Sequence, residues 1–366
     1  YTLSKFVGIK VVAAVQHRTR IGLIIKLISG SWVALFLMGV TPYPLNFIWL
    51  FFNGLALGMI WGLVFSFIEG KRNTEFLAAT LASSFIVASG VVKSAGVNLI
   101  LHGVSEFWMP FMTGLIFVPM LLLGVWMLSK IPGQTEKDVQ LRTRRIPMNG
   151  KQRIAFLRSF APGIIVTTVI YMALNALRDF RDNFAVELWA GLGYPEQPAI
   201  LTLSEIPIAM LCLLMIGLMI YIRDNRKAFY LNIVLIGFSG AILLLVTFLF
   251  ETKLVNPILW MILVGSGMYM AYMLYHTMLF ERWIALFKYK SNVGYLMYIS
   301  DSFGYLASVV VMLYKDLGAH NLGWVAFFSK ISYLTGLVVL VMSILGWIYF
   351  RKRENREQTQ MAIIAN

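Results

Sequence analysis

The chain has one cysteine and four histidines. A lone Cys excludes an internal disulfide, and so few His leave little material for a zinc or redox centre. Cys212 itself lies inside an apolar run. Acid is also scarce, with 17 Asp and Glu against 31 Lys and Arg, and charged residues make up only 13% of the chain. The sequence contains no H-E-x-x-H, no G-x-x-x-x-G-K-[ST], no G-x-S-x-G and no paired Cys. The commonest signatures of metalloproteases, nucleotide hydrolases and α/β-hydrolases are therefore missing, and the expectation is a protein that is not an enzyme and holds neither cofactor nor metal. At the N-terminus, Tyr1 leads straight into an apolar segment with no basic n-region and no small-residue cleavage site, so no signal peptide is read there.

What the chain has in abundance is apolar surface: 59% of residues are hydrophobic and the mean hydropathy is +0.76. That composition predicts an all-α, polytopic membrane protein with the lipid bilayer as its main partner. Eleven apolar segments approach spanning length: Tyr1 to Val15, Ile21 to Val40, Leu45 to Ile68, Phe76 to Val97, Phe107 to Leu128, Pro162 to Phe184, Leu203 to Ile222, Phe229 to Phe250, Pro257 to Phe280, Val293 to Tyr314 and Trp324 to Phe350. A net charge of +14 in a soluble protein would suggest nucleic acid, but here its placement indicates topology, and no nucleic-acid partner is expected. Most of the basic residues fall in alternate connections and in the tail after Phe350, while the opposite connections hold only Lys253 and Lys315. By the positive-inside rule the basic side, and with it the C-terminus, is cytoplasmic.

The connection Ile131 to Ser159 is the longest and most polar, broken by Pro132, Gly133, Pro147, Asn149 and Gly150, and it reads as a basic cytoplasmic linker. The expected organisation is an N-terminal bundle over 1–131, a linker over 132–159, a C-terminal bundle over 160–350 and a tail over 351–366. Five spans against six, with a cytoplasmic C-terminus, predicts one further leading span. The halves also echo each other. Phe67-Ile68-Glu69-Gly70-Lys71-Arg72 matches Leu279-Phe280-Glu281-Arg282, and the offset that pairs Glu69 with Glu281 also pairs Ser89 with Asp301 and Lys93 with Tyr305. Internal repeats with polar groups in equivalent places are a transporter signature.

Charge inside apolar segments marks the candidate site. Between Asn175 and Phe184 four charged residues follow an apolar run from Gly163 to Leu174. At 100° per residue, Tyr171, Asn175, Arg178 and Asp182 share one helical face, whereas Arg181 is turned about 300° from Arg178 and is expected to pair locally. Ionisable groups in a bilayer cost roughly 2.5–3.5 kcal/mol each, so by default they mark a substrate or ion path. The alternative is that the segment is merely the solvated outer end of a helix. In Val293 to Tyr314, Gly294, Tyr298, Asp301, Tyr305 and Ser308 build a second polar face, which marks either a cavity or an interhelical bond. Gly265, Tyr269, Tyr272 and His276 form a similar stripe, for which packing is the simpler account. Lys5, Lys93 and Arg178 lie too deep to reach the cytoplasmic face, and together they would suit an anion; snorkelling to the outer interface is the other reading for each Lys. Asp179, Asp182, Glu205 and Asp301 are the candidates for proton coupling or charge balance, with Glu205 expected to pair with Arg178.

These residues resemble the major facilitator superfamily, and within it the organophosphate:phosphate antiporter branch. Ser4-Lys5-Phe6-Val7-Gly8 resembles that branch's second helix, Asn53-Gly54 to Gly62 its fourth, Leu177-Arg178-Asp179 its seventh, Ser204-Glu205-Ile206-Pro207 its eighth and Phe303-Gly304-Tyr305-Leu306 its eleventh. The resemblance implies two pseudo-symmetric helical bundles, with eleven of twelve spans in this chain, rocking about a central site in a bacterial inner membrane. It implies a monomer carrying a small organic or phosphorylated anion, with Lys5 facing the cavity and Arg178 binding the anion; depth and the two polar faces add Lys93, Tyr171, Asn175, Tyr298 and Tyr305 as expected substrate contacts. The chain departs from the branch at Val15-Gln16-His17-Arg18-Thr19-Arg20, which lacks the usual acidic residue, while Arg223-Asp224-Asn225-Arg226-Lys227 keeps it. A closer match is an uncharacterised bacterial subfamily, which leaves a proton-coupled carrier of a neutral or zwitterionic solute, or a non-transporting sensor, as rival functions.

Overall fold

A computed structural model describes residues 3, 4, 17–68, 74–132, 150–287 and 293–365. Every regular element among them is helical: α1 His17–Val40, α2 Phe47–Leu57, α3 Ile60–Ile68, α4 Thr74–Leu101, α5 Met109–Ser129, α6 Gly150–Asn183, α7 Ala185–Gly191 and α8 Pro198–Leu203. There follow α9 Glu205–Ile220, α10 Asn225–Glu251, α11 Pro257–Leu274, a π-helix Tyr275–Leu279, α12 Phe280–Phe287, α13 Val293–Leu317 and α14 Trp324–Ala365. Among the described residues, nine helices are long and apolar enough to cross a membrane, so the chain is a multi-pass membrane protein. Of the eleven expected spans, Tyr1 to Val15 lies outside the described residues except for residues 3 and 4. The expected span at Val293 to Tyr314 is present as α13, whose 25 residues suffice in length but carry Asp301, Lys315 and Asp316. Two other boundaries move. The expected linker ends earlier, because helix α6 already starts at Gly150, and the span expected from Leu203 begins at Pro198.

The contacts group into two compact units. The first comprises Tyr1–Ala78, Gly90–Thr143 and Pro198–Thr202. In it α1 packs on α2, α3 and α5 around Ile24, Leu63 and Phe67. Trp32 stacks on Phe111 at 4.8 Å and donates its indole N–H to the Phe111 carbonyl, while Asn53 Nδ2 donates to Ser31 Oγ at 2.7 Å. Such bonds matter between membrane helices, where lipid supplies no competing partner for a polar group.

The second unit comprises Ala79–Ser89, Arg144–Gln197 and Leu203–Asn366. Here α6 packs chiefly on α13 and α14, and α10 on α14 and α11. Small residues set the closest approach: a Cβ at Gly240 would lie 2.8 Å from the Gly336 carbonyl, and one at Gly336 only 2.9 Å from the Gly240 carbonyl. Most of the α6 membrane window is buried, 61% against 33% for α14, so α6 is an interior helix of this unit and its polar face must meet protein rather than lipid. The helix bends at Phe160 (φ −120°, ψ 17°), two residues before Pro162, which removes one backbone donor from the ladder. At this bend the Ser159 carbonyl accepts Nη1 of Arg353 at 2.5 Å, and the same guanidinium lies 4.1 Å from the Phe160 ring centre.

Candidate functional site

The face of α6 that carries Tyr171, Asn175, Arg178 and Asp182 turns toward α11 and α13 of its own unit. Tyr171 is buried, donates its hydroxyl to the Asp301 carboxylate on α13, and lies 3.4 Å from the Tyr272 hydroxyl on α11. One turn further on, Asn175 Nδ2 donates to Ser308 Oγ at 2.9 Å and to Asp179 Oδ2 at 3.2 Å. Arg178 sends both Nε and Nη2 to Asp179 Oδ1, at 3.0 and 2.6 Å, and its guanidinium carbon stands 4.2 Å from the Tyr272 ring centre. Tyr272, Asp179, Tyr305 and Tyr171 are its electrostatic neighbours. Asp182 accepts from Ser89 Oγ at 3.2 Å and faces the Tyr269 hydroxyl at 3.4 Å.

Glycine allows this closeness at one point. A Cβ on Gly304 would meet Tyr171 Cε1 at 2.7 Å and Asn175 Cβ at 3.3 Å, so only a residue without a side chain lets α13 approach α6 where Asp301 and Ser308 need it.

A second charge pair sits on another face of the same helix. Arg181 Nη1 donates to Glu205 Oε1 at 2.7 Å, with 3% and 9% of the two side chains exposed. This corrects two expectations: Glu205 pairs with Arg181 and not with Arg178, and Arg181 finds its partner 24 residues away rather than locally. The reason is angular. Three residues on a helix turn the side chain by about 300°, which takes Arg181 away from Tyr171 and Asn175 to the place where α11 meets the start of α9; Glu205 is the first residue of α9, and the Met261 carbonyl of α11 lies 3.5 Å from Arg181 Nη2. Gly265 leaves room for it, since a Cβ there would come within 3.2 Å of Arg181 Nη2. Arg181 Nε, Glu205 Oε2 and Ser204 Oγ are buried without a hydrogen-bond partner among the described residues.

Of the other expected site residues, Asp301 and Tyr305 are half-buried on α13 one turn apart, and Lys93 is half-buried on α4 in the first unit. Lys5 and the side chains of Tyr298 and His276 lie outside the described residues. Tyr269 and Tyr272 are residues of the cluster that the sequence reading assigned to packing. Their spacing of three on α11 was the available signal, and it also fits plain packing. Directly after them the helix widens into the π-turn Tyr275–Leu279, a departure from regular geometry that recurs at functional sites. Among the described residues no three His, Cys, Asp or Glu converge as a metal would need.

A search among curated proteins finds no match. A family model does match: residues 1–353 fit the one described as "Family of unknown function (DUF5690)", and the chain belongs to that family.

Proposed function

We propose that the protein is a secondary active transporter of a small organic or phosphorylated anion, working by alternating access as the major facilitator resemblance implies. The observation that carries the reading is the Arg178–Asp179 pair inside a membrane bundle. Both donors of the guanidinium edge go to one oxygen of the adjacent carboxylate, over an aromatic ring. A planar fork already holding a carboxylate is suited to hold a substrate's carboxylate or phosphate in the same way. On this reading Asp179 is an internal stand-in: an incoming anion takes Arg178, and Asp179 is released to take up a proton while Asn175 Nδ2 keeps its other oxygen. The positive-inside pattern supports a cytoplasmic C-terminus, and the reading assigns the protein to a bacterial inner membrane with no cofactor and no enzymatic reaction.

The sign of one substitution separates this from the rival. If Asp179 competes with the substrate, Asp179→Asn should tighten binding of inorganic phosphate or a small carboxylate, measured by titration calorimetry, while Arg178→Lys weakens it by about 2 kcal/mol or more. A neutral or zwitterionic solute is the second reading, favoured by Asp182 and Asp301, which accept hydroxyl bonds in the same cluster. In that case Asp179→Asn should weaken binding of the true solute and leave phosphate unbound.

A further inference from the structure

On the opposite side of α11 from this cluster, a groove of about 470 Å³ runs between α9, α10 and α11. Its α10 wall is Leu231, Leu235, Phe238 and Ile242, spaced 4, 3 and 4, which places them on one helical face. Leu218 on α9 and Ile222 just beyond its end belong to the facing wall, and Leu218 and Phe238 are well exposed, so the groove opens outward. From Leu231 to Ile242 the helix rises on the order of 16 Å at 1.5 Å per residue, close to half of a ~30 Å hydrocarbon core. That is the depth of one acyl chain in one leaflet.

The polar end of the groove is basic. Ile222 is followed by exposed Arg223, and exposed Lys227 precedes Leu231 by four residues, at the head of the same α10 stripe. Arg226 is held by Glu354 at 2.6 Å, and Arg351 stands 5.4 Å from the Tyr230 ring centre on the same helix. Asp224 is the one acid in this turn, and its carboxylate is engaged as the α10 N-cap by the Lys227 backbone N–H at 3.0 Å. We propose that this groove is a binding site for an anionic phospholipid, with one acyl chain along the α10 stripe and the headgroup phosphate at Arg223 and Lys227. Charge complementarity selects the occupant: a trough lined almost entirely by apolar side chains, Ser266 being the polar exception, and ending at two basic side chains matches a lipid with a negative headgroup better than a zwitterionic one.

The test uses the whole protein purified in mild detergent, with native mass spectrometry after addition of phosphatidylglycerol or phosphatidylcholine of identical chains. Wild type should retain phosphatidylglycerol on the order of tenfold more than phosphatidylcholine, given the worth of two basic contacts near the headgroup. The double variant Arg223→Gln/Lys227→Gln should lose that preference. Leu218→Trp, which fills the groove, should lower retention of both lipids, and Leu235→Trp fills it from the other wall should the first variant fail to fold. Equal retention of both lipids by wild type, a preference that survives the double variant, or retention untouched by the tryptophans would each overturn the proposal.

Discussion

Arg178 and Arg181 stand three residues apart on one helix and differ in what surrounds them. Arg178 is paired with its sequence neighbour and lies on the face shared with Tyr171 and Asn175, so its partner is easily exchanged. Arg181 is paired across to another helix, with its Nε and the second Glu205 oxygen left buried and unpartnered among the described residues. Breaking such a pair leaves an uncompensated buried charge, whereas replacing both members by apolar residues is often neutral or stabilising. Glu205→Gln should therefore destabilise the protein by about 3 kcal/mol, and Arg181→Met/Glu205→Leu should restore most of it, as read from thermal unfolding in detergent. If the double variant melts lower than Glu205→Gln, the pair is not the structural element described here. Residue identity along the α6 stripe was legible from spacing alone; the partners were not, because helical phase says which way a side chain points and nothing about which helix stands there.

At the scale of the element, α13 depends on Gly304. Ala at this position drives a methyl into the Tyr171 ring, and overpacking of this kind costs about 1–3 kcal/mol. Gly304→Ala should therefore lower stability and, by pushing Asp301 and Ser308 away from α6, weaken ligand binding beyond what the stability loss alone explains. Ala at Gly22, where nothing lies within 4 Å, is the control and should be silent in both measurements. The start of α10 offers a pH test. The Lys227 backbone N–H holds the Asp224 carboxyl below its ordinary value. A depressed folded pKa means that the cap's contribution is present above the unfolded Asp value near ~3.9 and fades as pH falls through the folded one. Asp224→Ala should thus melt below wild type at neutral pH, with the gap closing in acid; a gap that widens in acid would contradict the cap. Element ends were the least legible feature. The polar stretch after Ile131 offered several breakers, yet helix α6 begins at Gly150, because Phe156 and Phe160, four residues apart and both buried, continue its inner face past the membrane edge.

For the whole molecule, the distribution of Lys and Arg predicts sidedness. Since Cys212 is buried and the only cysteine, a Cys212→Ala background allows single-cysteine mapping. Lys253→Cys should react with an impermeant maleimide from outside intact cells, and Arg356→Cys only after permeabilisation. The reverse pattern would invert the topology. Membrane class follows from composition, because a bilayer admits few architectures; the count does not, with eleven spans expected and nine helices long and apolar enough among the described residues. Function does not follow from it, because one helical fold can serve many functions and the choice rests on a handful of interior side chains.

The central claim is transport, and flux decides it. Purified protein in liposomes, with a pH gradient imposed and radiolabelled phosphate or small organic anions supplied outside, should accumulate label in a saturable way that collapses when the gradient is dissipated. Arg178→Lys should reduce the rate severely while leaving the melting temperature near wild type. Saturable binding of the same anions with no accumulation in wild-type liposomes would contradict the account and identify a membrane sensor in its place.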